Sequence, residues 1–493
     1  MGGTPLELRG ARRAGFRWAA GAFVAGCAAA PALTPAAFFA GLGAFLLAVL
    51  VLVIRRRNAA LAAILAVPFA LAGWGWCQVQ LADIARTEAL TAPWALGEAP
   101  LSVRVDRPSK ASEIGVTYDG VTQTPWGEIG VRVAVPGNVR VAPGTVLEGK
   151  ALLGRPEGPN ASAWGLFRSR GTYLSAYFAS PRSVPGEPGW IERFRKGALD
   201  IFTKTYPEGA RGIVAGALLG EKSLLGAQTL QDFRKSGLAH ILVASGSNVA
   251  IVLAVLAVFA RRLPGWFGAA FPLAGAVLFT VLAGGDAPVA RAAVMGLVAA
   301  AAVGGGRKID GGHALLGALC LFAAFNPLAV SSDPSLRLSF AATAGVLFLS
   351  KPAQRLLGWV TESFGLREAF AVTLAATVAT LPVGVADFAT ASLAAIPANL
   401  LAGWSVAPIM GFGAASAAFA WWAPLRDLLG CGTWIFAKWL STMATWAAGW
   451  AWANVAVSGP LAVATSCVPA ALLVWYGHKK AGQGPGMDEK EAF

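Results

Sequence analysis

The chain has 493 residues, of which 56% are hydrophobic and only 13% charged, with a mean hydropathy of +0.59. So apolar a composition excludes a disordered chain and an ordinary water-soluble domain, and the many long apolar stretches make this a polytopic membrane protein. The formal net charge of +14 is then read as basic cytoplasmic loops that hold topology, and by itself it argues for no nucleic-acid partner.

In chain order, residues 1–17 are short and basic, with Arg9, Arg12, Arg13 and Arg17. Apolar runs follow at 18–33, 36–54 and 59–76. The first has the outline of a signal peptide. The second follows almost at once and ends in Arg55-Arg56-Arg57, so a retained anchor is expected. With basic residues kept on the cytoplasmic side, the third run delivers the chain outside near Gln78.

From 78 to 189 the pattern changes to short alternating runs such as Leu101-Ser-Val-Arg-Val105 and Ile129-Gly-Val-Arg-Val-Ala-Val135, with a further run over 145–153. Asp119-Gly120, Pro136-Gly137-Asn138 and Pro143-Gly144 punctuate them. Alternation with such turn signals predicts the half-buried strands of a small β domain. A small barrel such as an OB-fold fits about five strands, and a sandwich is the other architecture. The charge is mild, ten Lys/Arg against seven Asp/Glu over 101–190. OB-folds often bind single strands through aromatics and basic grooves, and here the aromatics do not interleave densely with the charges.

Residues 190–206 place Ile191, Phe194, Ala198, Ile201 and Phe202 at helical spacing, with Glu192, Arg193, Arg195 and Lys196 opposite. This predicts an amphipathic helix on the membrane surface. The apolar piece 212–219 is too short to cross and reads as re-entrant. Nine further apolar runs follow: 238–260, 266–284, 288–303, 314–330, 336–349, 369–385, 394–419, 434–455 and 461–475. Basic loops fall on every second connection, which predicts about twelve spans with both termini cytoplasmic. The expected architecture is a polytopic α-helical membrane protein with an inserted extracytoplasmic small β-barrel (OB-like) domain. Its parts are amino-terminal transmembrane helices (1–77), the β domain (78–189), an amphipathic helix and short re-entrant segment (190–236), the transmembrane channel domain (237–477) and a cytoplasmic tail (478–493).

The chemistry-bearing candidates lie in the 238–260 run. There His240-Ile-Leu-Val-Ala-Ser245-Gly246-Ser247-Asn248 sets five polar or helix-weakening residues where hydrocarbon tolerates few. Such a point faces protein or a watery path, so it is expected to be a broken helix lining a conduit. Arg291 lies inside the 288–303 run, where a partner such as Asp286 or a ligand phosphate is needed. Arg337 and Asp333 flank the start of the 336–349 run, with Ser339 slightly further in. Thr380-Leu-Pro382 and Pro397-Ala-Asn399 are expected to break two more spans and leave carbonyls and the Asn399 amide facing a cavity.

Other readings fail on spacing. Gly216-Ala-Leu-Leu-Gly220-Glu-Lys222-Ser223 has Glu221 where a phosphate loop needs Gly before Lys. The three histidines, His240, His313 and His478, are too scattered for a zinc site. Five residues of helix separate His240 from Ser245, and no nucleophile elbow surrounds the serine. The five cysteines form no C-x-x-C pair and read as small buried hydrophobes. No enzyme, catalytic residue, metal or cofactor is expected.

Taken together, several segments resemble the ComEC-type competence family, the inner-membrane channel for DNA uptake. They are Phe233-Arg-Lys-Ser-Gly237-Leu-Ala-His240-Ile-Leu-Val-Ala-Ser245-Gly246 and, before it, Ala217-Leu-Leu-Gly220-Glu221-Lys-Ser223. Further on come Pro288-Val-Ala-Arg291, Asn326-Pro327 with Asp333-Pro-Ser-Leu-Arg-Leu-Ser339-Phe340, and Thr380-Leu-Pro382 through Asn399-Leu400. The stretch from Gly144 to Tyr173 is similar to the end of the family's extracytoplasmic OB-like domain. Where many members read Ser-Gly-Leu-His, this chain has Ser245-Gly-Ser-Asn248, which keeps hydrogen bonding without an ionisable group.

The resemblance implies import of single-stranded DNA across the bacterial inner membrane during natural transformation. The implied path is lined by His240, Ser245, Gly246, Ser247, Asn248, Arg291, Arg337, Ser339 and Asn399. The family's carboxy-terminal metallo-β-lactamase-like domain has no counterpart here, so a separate nuclease is expected. A DNA receptor, a cytoplasmic motor or single-strand-binding protein and membrane lipid complete the expected partners. The alternative is a transporter of another small or anionic substrate, or a membrane enzyme, on the same scaffold.

Overall fold

The computed structural model describes residues 20–29, 57–92, 97–106, 110–112, 115–125, 127–136, 141, 144–155, 171–184, 190–221, 224–242, 246–264, 267–284, 294–295, 311–362, 365–392, 394–450, 453–457 and 459–482. The chain divides into two compact units, Met1–Ala198 with Val255–Leu336, and Leu199–Ala254 with Arg337–Phe493. The second division falls inside the expected channel domain, because residues 255–336 group with the amino-terminal part.

In the first unit, helix Arg57–Thr91 runs 35 residues, about 50 Å at 1.5 Å per residue. It therefore continues well past Gln78, where the composition change alone places the start of the β domain. Residues 78–91 contain neither Gly nor Pro, so nothing in them stops the helix. Its middle packs Cys77 and Ile84 with Leu328, and Tyr173 from the β domain joins the same cluster.

Among the described residues the β domain has seven strands: β1 (Gly97–Val105), β2 (Lys110–Ser112), β3 (Gly115–Thr124), β4 (Gly127–Val135), β5 (Val146–Gly154), β6 (Thr172–Phe178) and β7 (Arg182–Val184). Hydrogen bonding runs β1-β3-β4-β6-β5, and β5 pairs back onto β1, which closes a five-stranded barrel. All these pairings are antiparallel except β4 with β6. Period-two alternation decides the interior: Leu101, Val103 and Val105 are buried, as are Val131, Val133 and Val135. Tyr118 is buried among them, and its hydroxyl accepts a hydrogen bond from the Val141 amide at 3.0 Å. At Gly130 the β4–β6 register shifts, and a Cβ there would collide with the Gly171 carbonyl. A glycine is required at that close backbone approach.

Among the described residues three helices are long and apolar enough to cross a membrane: Leu366–Phe388, Ala395–Ala418 and Pro460–Gly477. Four shorter apolar helices, Ala20–Ala29, Asn248–Ala260, Ala270–Leu282 and Gly311–Phe325, accompany them. The run 36–54, and all of 288–303 except residues 294–295, lie outside the described residues.

Two local expectations are corrected. Pro382 does not break its span, because helix Leu366–Phe388 runs through it without interruption. Thr380 just before it donates to the Ala376 carbonyl, as membrane helices commonly do around a proline. Helix Trp190–Thr205 also departs from the expected two faces. Arg195, placed on its polar side, is buried and donates to the Leu282 carbonyl, whereas Phe194 is exposed. Leu282 ends helix Phe267–Leu282, so the guanidinium serves the negative end of a helix dipole, which outweighs the local pattern.

Candidate functional site

The second unit contains one short, buried helix. Helix Glu208–Leu219 is buried over most of its length. It spans 12 residues, about 18 Å, too little for a bilayer. Small residues let backbone approach it from several sides. A Cβ at Gly216 would lie 2.5 Å from the Leu242 carbonyl oxygen, and one at Gly212 would lie 2.6 Å from that of Leu224. The helix ends at Gly220, whose φ is +68°. The amides of Gly220 and Glu221 bond back to the carbonyls of Gly216 and Ala215, which closes the last turn. Residues 216–219 are thus helical, with no phosphate-cradling loop among them.

Helix Ala227–Lys235 comes next. Its Asp232 is buried and accepts from Gln228 Nε2 at 2.8 Å and Thr445 Oγ1 at 2.9 Å. The chain then turns through residues 236–242 before helix Gly246–Ala260 begins. Within the apolar run 238–260, residues 238–242 are not helical, whereas Gly246, Ser247 and Asn248, expected in the break, open the helix. Gly237, at φ +76°, fits against Ala395 and Ser392, and a Cβ there would lie 2.7 Å from each. Ser392 in turn donates to the Ala453 carbonyl, and Thr390-Ala391 pairs with Val455-Ala456 as a two-residue ladder. Turn 236–242 is pinned against a pair of stitched interhelical segments.

The nine sequence-predicted site residues separate into distinct roles. His240 is exposed, and its Nδ1 lies 3.1 Å from the Gly237 carbonyl. A carbonyl only accepts, so Nδ1 is the donor in that bond. Asn248 is fully buried, and its Nδ2 donates to the Ala217 carbonyl at 2.9 Å. That bond clamps the start of helix Gly246–Ala260 to the buried helix, so Asn248 shapes the site from within. Gly246 opens the same helix, and Ser247 is its second residue. Ser245 and Arg291 with Asp286 lie outside the described residues. Ser339 sits on helix Pro334–Leu356, where its carbonyl accepts from Thr343 Oγ1. The Asn399 amide is not free to line a cavity, because it donates to the Ala395 carbonyl of its own helix at 2.8 Å.

Arg337 finds a partner that spacing along the chain did not indicate. Its Nη2 donates to Asp387 Oδ1 at 2.6 Å. Asp333 instead accepts from the amides of Ser335 and Leu336 and so caps the helix that carries Arg337. Asp387 lies five residues before Ser392 and eight before Ala395, the two residues against which Gly237 fits. Arg337 Nε and Asp387 Oδ2 are buried, and among the described residues neither atom has a partner. Both Asp387 and Asp232 were legible only as lone acids beside apolar runs, a weak signal without contacts.

Replacing Asn248 by Ala leaves the Ala217 carbonyl short of a donor in a buried site. The expected loss is about 1–2 kcal/mol, measured as the temperature at which the detergent-solubilised protein loses its monodisperse elution peak.

Comparison with known proteins yields one match. The model of the competence protein family aligns with residues 217–480, just over half of the chain. The matched region contains helices Ala227–Lys235 and Gly246–Ala260, the turn between them and the Arg337–Asp387 pair. No curated protein and no solved structure matches.

Proposed function

Because the chain belongs to the competence protein family, we propose that it forms the inner-membrane channel through which single-stranded DNA is imported during natural transformation. The observation that carries this reading is the family match over 217–480, the stretch that holds the polar turn among apolar helices. The strand order β1-β3-β4-β6-β5-β1, with a single parallel pairing, supports an OB-like identity for the barrel. Such barrels offer a face and loops suited to extended single strands.

In this reading the barrel is extracytoplasmic and receives the strand. About twelve spans, with both termini cytoplasmic, follow from the alternation of basic loops. The path includes His240, Ser245, Gly246, Ser247, Arg291, Arg337 and Ser339, while Asn248 and Asn399 hold its walls by the bonds described above. In this reading the membrane helices act as a conduit. A nuclease, a DNA receptor and a cytoplasmic motor or single-strand-binding protein complete the system.

Deleting the gene is expected to abolish entry of labelled DNA into the cytoplasm while surface binding persists. Undiminished entry sinks the proposal, and movement of a small anion without DNA by the reconstituted protein favours a solute transporter. A finer test separates path from scaffold. His240→Ala removes an exposed ring with one local bond, so stability changes by less than about 0.5 kcal/mol while uptake falls. Unchanged uptake removes His240 from the path.

A further inference from the structure

Away from the polar turn, three helices of the second unit enclose an apolar groove. Helices Pro334–Leu356, Leu366–Phe388 and Val468–Gly482 meet over Leu349, Ala375, Val378 and Leu473. Above that floor lies a groove of about 350 Å³ lined by Leu356, Leu374, Val378, Leu472 and Tyr476 among others. At roughly 30 Å³ per methylene, close to the share of one water in the liquid, it has room for ten or so carbons of a linear chain.

One edge of the groove is cationic. Arg355, one residue before the lining Leu356, donates Nη1 to the carbonyl of Gly477, one residue after the lining Tyr476, at 3.1 Å. Lys351 lies one helical turn earlier on the same helix, so the two charges are neighbours. Among the described residues neither has an acidic partner, although Arg367 nearby pairs with Glu362. Trp475, which lines the groove, and Trp359, three residues beyond Leu356, are largely exposed. Exposed tryptophan with Lys and Arg is the composition of a membrane interface.

We propose that this groove is a binding site for one anionic phospholipid, with an acyl chain against Val378 and Leu472 and the headgroup phosphate held by Lys351 and Arg355. Charge complementarity selects the occupant. A zwitterionic lipid fills the apolar part equally well, but its own ammonium offsets the attraction of two unneutralised cations. Basic pockets between transmembrane helices bind anionic headgroups for the same reason.

The test uses the full chain purified in detergent, supplied with an equimolar mixture of phosphatidylglycerol and phosphatidylethanolamine of identical acyl chains. Retained lipid is read by native mass spectrometry. The expected result is one tightly held phosphatidylglycerol. Lys351→Gln keeps the Arg355 bond to Gly477 intact and is expected to lower that retention roughly fivefold, the effect of about one surface charge. Lys351→Gln with Arg355→Gln brings it to the phosphatidylethanolamine level. Leu472→Trp fills the groove and removes the held lipid of either kind, whereas Leu461→Trp, at an exposed site outside the groove, changes nothing. Equal retention of the two lipids by the unaltered protein overturns the proposal, as does a preference that survives both charge removals. Retention unaffected by Leu472→Trp overturns the acyl assignment. Each readout is independent of DNA transport.

Discussion

Replacing Arg337 by Met is expected to destabilise the second unit by about 3 kcal/mol, the lower end for breaking a buried ion pair. The reason is what remains behind. The Asp387 side chain is only 3% exposed, and its one hydrogen bond among the described residues comes from Arg337. Without the guanidinium, a carboxylate is left in an apolar surround with neither oxygen satisfied. The reverse change is milder. Asp387→Leu leaves Arg337, whose side chain is 31% exposed and long enough to turn its head toward a polar boundary. A loss of about 1–2 kcal/mol is expected there. The double variant Arg337→Met with Asp387→Leu is expected to recover most of the stability, because apolar groups of similar size replace a buried pair at little cost. Heat-stability of the three variants in one detergent measures this. Equal losses for the two single variants, or no recovery in the double, would falsify the assignment of Asp387 as the partner on which Arg337 depends.

The second large effect is at Gly237. Gly237→Ala is expected to cost about 2–4 kcal/mol, from a left-handed backbone and from overpacking together. At φ +76° the new Cβ would lie 2.7 Å from Ala395 Cβ and from Ser392 Oγ. Relief requires the turn to move away from the 392–395 segment, and His240 moves with it because its ring is tied to the Gly237 carbonyl. Gly365 provides the control. It has φ +70° but nothing within 4 Å of an added Cβ, so Gly365→Ala incurs only the backbone term of about 1 kcal/mol. If the two variants prove equally stable, contact between the turn and the 392–395 segment is not what holds it.

Legibility in the sequence followed the range of the interactions concerned. The strands around Leu101–Val105 and Ile129–Val135 were readable because burial follows a period of two within each strand. The apolar helices were readable because hydrocarbon imposes a length and a composition on each segment separately. The polar interruption was readable only in part: the residues that marked it span 240–248, yet the turn lies at 236–242 and Gly246, Ser247 and Asn248 already belong to the following helix. Beyond that, local pattern misled wherever a distant group intervened. Arg195 sat on the polar side of a helical pattern, yet the end of another helix draws it inside. Pro382 predicted a break, yet its helix runs on to Phe388. The composition change at Gln78 predicted a boundary, yet residues with no helix breaker among them carry the helix to Thr91.

What the sequence by itself determined is therefore the membrane class, the existence of a β domain and the place where polar groups interrupt an apolar span. Each of these rests on composition or on periodicity within a few residues. Only the tertiary structure decided that β5 closes onto β1, that Asn248 holds a neighbouring carbonyl and that Arg337 belongs to Asp387 fifty residues on. Those outcomes turn on which buried donors find acceptors far along the chain. Desolvation makes every such pairing obligatory without saying in advance which partner will supply it.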